Sequence, residues 1–183
     1  MKMQKTLAVL AAAWLAATAA QAADKLPAGT LITGQVSGAS TALLGLDHGF
    51  ADEAGSNTTA LAANDLEFMT GDFNVAVDFF TDGRVQVWNN SGTALLPGSY
   101  TLSFDFGAGP AITGFAPLGL NGVSLQLLGQ RSVAISFNNL DFGDGFGSFT
   151  AQLNVSAVPE PASFALLGAG LGLLALHRTR RAA

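Results

Sequence analysis

The middle of this chain predicts an all-β fold, an antiparallel β-sandwich of jelly-roll-like winding. Three observations point that way. Apolar and polar residues alternate with a period of two over several short runs. Gly, Ser, Asn and Asp separate those runs. No long stretch between residues 23 and 157 repeats with the 3.6-residue period of a helix.

In chain order, residues 31–36 and 41–46 read as the first strands, and residues 60–66 as a loop or one helical turn. Phe73, Val75, Val77 and Phe79 would line one face of the next strand. Asp82-Gly83 then marks a hairpin into Val85-Gln86-Val87-Trp88, because these residue types tolerate φ > 0. Leu96-Pro97-Gly98-Ser99 has the composition of a turn. Tyr100, Leu102, Phe104 and Phe106 alternate with Thr101, Ser103 and Asp105, the pattern of a strand with one face in a core and one in water. Residues 123–128, 131–138 and 148–155 complete about eight short strands, which favours stacked antiparallel sheets.

Both ends of the 183-residue chain read differently from the middle. Lys2 and Lys5 precede an apolar run over residues 7–20, and Ala20-Gln21-Ala22 is a small-x-small cleavage site ahead of Ala23. Residues 1–22 are thus predicted to be a secretory signal peptide, a short helix removed after Ala22. At the other end stand Val158-Pro159-Glu160-Pro161, an uncharged apolar run over residues 162–176, and a basic tail over residues 177–183 with Arg178, Arg180 and Arg181. The two prolines hold their neighbours extended, so the motif is stiff and easily gripped. As a helix, residues 162–176 would reach roughly 22 Å at about 1.5 Å per residue. That is short of the ~30 Å hydrocarbon core, so the arginines must snorkel to help it span. The positive-inside rule places them in the cytoplasm. Gly168 and Gly172 add a small-xxx-small spacing that serves either close helix packing or no partner at all.

Over residues 158–183 the motif, the apolar run and the arginines resemble the PEP-CTERM sorting signal of Gram-negative bacteria, a module also known by a name that refers to the C-terminus of ice-binding proteins. The resemblance implies recognition by an exosortase, with the inner membrane as a transient anchor. Cleavage near Pro159-Glu160-Pro161 would then deliver the protein to the cell surface or an exopolysaccharide matrix. Leu96 to Leu102 is similar to a strand of small exported domains that carry this tail. Phe142-Gly143-Asp144-Gly145-Phe146 matches a Phe-x-Asp-x-Phe spacing found in some of them, with the phenylalanines expected in the core.

Charge and chemistry narrow the function of residues 23–157. From Ala23 to Val158 twelve acids face three bases, Lys25, Arg84 and Arg131, for a net charge near −9. Nucleic acid is excluded as a partner, since phosphates require clustered Lys and Arg. The chain has no cysteine, so neither a disulfide nor a thiolate nucleophile is available. His48 beside Asp47 invites a catalytic reading. Adjacent strand positions point to opposite faces, however, and no serine sits in a nucleophile elbow. Asp78 and Asp105 are the carboxylate pair that a polysaccharide hydrolase would need, if their strands are neighbours. Asp141 and Asp144 in a Gly-rich loop suit either a calcium ion or a plain polar turn. Trp88 and Tyr100 suit either a carbohydrate platform or the core. No catalytic constellation emerges. A non-enzymatic domain with a structural or adhesive role is the expectation, ahead of a carbohydrate- or calcium-binding module.

Overall fold

The computed structural model describes residues 26–156 apart from positions 64 and 120. The signal-peptide helix with its Ala20, Ala22 and Ala23 cleavage site, the sorting motif at Val158, Pro159, Glu160 and Pro161, the membrane helix and the basic tail with Arg178, Arg180 and Arg181 lie outside the described residues. The described part is all-β, as expected. Its strands are β1 (Leu31–Gly38), β2 (Leu43–Gly45), β3 (Thr58–Ala60), β4 (Phe68–Thr70), β5 (Val75–Phe79), β6 (Arg84–Asn89), β7 (Leu95–Asp105), β8 (Ile112–Leu118), β9 (Val123–Leu127), β10 (Ser132–Asp141) and β11 (Ser148–Val155). One 3₁₀ turn, Leu46–His48, follows β2.

Two antiparallel sheets form, with strand orders β3-β1-β7-β10-β9 and β2-β4-β5-β6-β11-β8. Hairpins keep β4, β5 and β6 together in the second sheet and β9 and β10 together in the first. Between β6 and β9 the chain changes sheet at every connection, and the step from β10 to β11 changes it again.

Period-two alternation places the core. Tyr100, Leu102, Phe104 and Phe106 are buried, whereas Thr101, Ser103 and Asp105 stay in contact with solvent. Val85, Val87, Phe149, Ala151 and Leu153 do the same from the second sheet. Aromatic rings join the sheets. Phe104 on β7 meets Phe79 on β5 edge-on at 4.9 Å and Phe68 on β4 at 5.4 Å. Phe137 on β10 meets Phe149 on β11 edge-on at 6.2 Å. Edge-to-face contacts of this kind add to the burial of large apolar area. In a chain without disulfides, such packing supplies the stability.

Several expectations need correction. Eleven strands replace the expected eight, because β3 and β4 have three residues each and β8 contains Pro117 and Gly114. Phe73 does not continue the face of Val75. It occupies the β4–β5 turn at φ 60° and is 50% exposed. Leu96-Pro97-Gly98-Ser99 is not a chain reversal but part of β7. Gly98 has φ 92°, its N–H donates to Asn139 Oδ1 (2.8 Å), and the β7–β10 register shifts beside it. Pro and Gly here mark a bulge. The Asp82-Gly83 hairpin forms as expected, but only Gly83 takes positive φ (82°), in a three-residue loop closed by Phe80 N–H to Arg84 O.

Candidate functional site

The 3₁₀ turn separates the two residues of the histidine–aspartate pair. His48 Nδ1 lies 2.7 Å from Glu53 Oε1. Asp47 turns to β3, where its Oδ2 accepts the Ala60 N–H (2.9 Å). No relay joins them. A helical turn, not a strand, sets their directions.

Asp78 and Asp105 are not neighbours: β5 belongs to the second sheet and β7 to the first. Asp105 accepts from Ser132 Oγ (2.6 Å) and the Gly107 N–H (2.9 Å), and these bonds hold its carboxyl below the usual range. The partner of Asp78 is Glu67. Pairing of Phe68 with Val77 puts Glu67 opposite Asp78, one register step along. Glu67 is fully buried, and its two oxygens accept the N–H groups of Ala62 (2.9 Å) and Phe79 (2.7 Å). Burial pushes its pKa up to about 8 against those two bonds, and the adjacent Asp78 adds to the rise. Burial raises Asp78 as well, opposed by its hydrogen bond with Glu67 and by the charge of Arg84. The Arg84 guanidinium lies 3.8 Å from the centre of the Phe80 ring. Burial thus favours the protonated form of Glu67 beside Asp78. It is sealed from solvent and committed to two backbone donors, so its service is to pin residue 62 and β5 to β4. Sequence reasoning missed it because a glutamate before an unrecognised three-residue strand reads as a surface residue.

Tyr100 leaves the carbohydrate-platform reading. It is buried and its hydroxyl donates to Asp72 Oδ2 (2.6 Å). Burial and that bond raise its pKa to about 12. Burial also works to raise Asp72, but hydrogen bonds from Thr70, Tyr100 and Asn74 outweigh it and hold this carboxyl low.

Trp88 does face outwards, between buried Val87 and Asn89 on β6, and its surroundings hold two aromatic residues that sequence reasoning did not select. The turns before β5, after β6 and before β11 converge there. Asn90 Nδ2 donates to Phe73 O (2.9 Å), Asn89 Nδ2 donates to Asp144 O (3.3 Å), the Asn89 N–H donates to Gly147 O and the Gly92 N–H to Gly145 O. Phe73, Trp88 and Phe146, at 50%, 37% and 67% exposure, stand on the segments that meet at this corner. The Phe-x-Asp-x-Phe segment is therefore split. Phe142 packs in the core against Phe137 and Phe149, as expected, and Phe146 stands in solvent, contrary to expectation. Asp141 Oδ1 accepts the Gly143 N–H (2.8 Å) and Asp144 Oδ1 the Phe146 N–H (3.1 Å), so each carboxylate shapes its own turn. Among the described residues no three His, Asp or Glu side chains gather in a group suited to a metal ion.

The outer face of the first sheet is polar. Thr101, Ser124, Ser136 and Asn138 line an open depression of about 470 Å³, with the Thr101 and Ser136 hydroxyls 3.1 Å apart.

Beyond this domain the decisive match lies in the last residues. A family model described as PEP-CTERM protein-sorting motif matches residues 157–181. The chain carries a PEP-CTERM sorting motif. Such a motif implies an exported protein, made as a membrane-anchored precursor and handled by an exosortase. The PEP-CTERM match begins two residues after β11 ends at Val155. No curated protein and no solved structure matches the chain.

Proposed function

We propose that this chain is an exosortase substrate whose β-sandwich domain performs a non-enzymatic, structural or adhesive task at the cell surface or in an exopolysaccharide matrix. A signal peptide would be removed after Ala22, and residues 162–176 would hold the precursor in the inner membrane with Arg178, Arg180 and Arg181 on the cytoplasmic side. Exosortase would then cut near Pro159-Glu160-Pro161. The single observation that carries this reading is the PEP-CTERM match at residues 157–181.

The fold is consistent with a tethered domain. β11 leads straight to the motif, and it lies between β6 and β8, paired to both. Tension on the tail would load an inner strand and its two ladders instead of peeling an edge. In this reading Asp141 and Asp144 shape a turn, and the domain needs no cofactor.

Replacing Pro159-Glu160-Pro161 by three alanines is the test. Wild type is expected to lose its tail and leave the membrane fraction, whereas the variant stays there at precursor length. Equal mature mass and equal location for the two proteins would refute exosortase sorting.

A further inference from the structure

Lone exposed apolar residues are ordinary on a protein surface. The corner around Asn90 departs from that pattern in three ways. Every exposed aromatic side chain among the described residues, Phe73, Trp88 and Phe146, stands on the turns and strand end that meet there. Phe73 holds φ 60°, a conformation that favours Gly or Asn and is unusual for a bulky side chain, yet its ring is not buried in return. Finally, the corner carries the wrong charge for an anionic ligand. Asp72 and Asp144 stand on its turns, whereas Arg84 sits at the opposite end of β6 and Arg131 precedes β10 in the other sheet. Exposed rings beside uncharged amides and hydroxyls (Asn74, Asn90, Ser91) suit the C–H faces and hydroxyl groups of a neutral sugar.

We propose that Phe73, Trp88 and Phe146, grouped around Asn90 at one corner of the second sheet, bind a neutral polysaccharide. The rings stack against pyranose faces, and the flanking amides hydrogen-bond the hydroxyls. This deepens the adhesive role above and rests on the domain working outside the cell. The two are tested separately, because sorting is read from mature mass and glycan binding is not.

The probe is native electrophoresis of the exported protein through gels containing dextran, galactomannan or, as an anionic control, alginate. At least one neutral polysaccharide is expected to retard the wild type, and alginate is not. Trp88→Ala and Phe146→Ala are expected to weaken that retardation about tenfold each, the loss typical of a ring at the centre of a contact. Phe73→Asn removes a ring while relieving the backbone, so it is expected to bind more weakly at unchanged or higher melting temperature, which separates binding from folding. Absence of retardation on both neutral gels, retardation by alginate equal to theirs, or retardation that survives both alanine variants would overturn the proposal.

Discussion

Replacing Phe104 by alanine is expected to lower the free energy of unfolding by about 3–5 kcal/mol, the usual cost of emptying a buried phenylalanine site. Phe104 is 1% exposed on β7 and touches Phe68 and Phe79, which belong to the other sheet. Its loss removes contacts between the sheets and leaves a cavity where two of the three rings remain. β7 and β5 are internal strands, paired on both sides, so their backbones cannot close the gap without disturbing ladders. Urea unfolding of the exported protein reads the effect as a fall in midpoint at constant slope. Phe146→Ala, which empties no core site, is expected to stay within about 0.5 kcal/mol of wild type. A Phe104 variant as stable as the Phe146 variant would mean that the two sheets do not share the core described.

The second large effect is a fall in stability as pH rises from about 5 to 8, centred on Glu67. Its pKa in the folded protein is about 8 against an ordinary 4.5. Between those values the unfolded chain gives up a proton that the folded chain keeps. Stability is therefore full below the ordinary value and is lost as pH climbs through the folded one. The loss is on the order of a few kcal/mol. On the acid side the sign reverses. Asp72 and Asp105 are held below their ordinary values, so their contributions are lost as pH falls through those depressed values. Maximum stability is thus expected in mildly acidic solution. Glu67→Gln tests the assignment. Its amide presents N–H₂ to one of the two backbone donors, which costs roughly 1–3 kcal/mol at pH 5. It also cannot ionise, so most of the slope between pH 5 and 8 should vanish. Thermal or urea unfolding across that range decides it. A flat wild-type profile, or an equal slope in the variant, contradicts the account.

What could be read from the sequence depended on how locally each feature is determined. The Tyr100–Phe106 alternation faces one core along a single strand, so period two was sufficient to place all four inward residues. The Asp82-Gly83 hairpin was also local. β4 was not, since Phe68–Thr70 is too short for a period and exists because β2 and β5 pair with it on both sides. Missing β4 meant missing Glu67, whose partner Asp78 is identified only by cross-strand register. Pro97 and Gly98 were misleading for a related reason. Both residue types signal turns and bulges alike, and only the pairing with β10 distinguishes them. The aromatic corner assembles from turns far apart in the chain and left no pattern in any one of them. The sorting motif is a contiguous signal whose meaning does not depend on a fold, and it was legible entire.

The most direct test of the account is the intact mass of this protein recovered from the membrane and medium fractions of the cells that export it. The account predicts a released form that begins at Ala23 and ends near Pro159-Glu160-Pro161, lacking the apolar run and the arginines. A single species retaining both Lys2 and Arg181, in whichever fraction it is found, would contradict it.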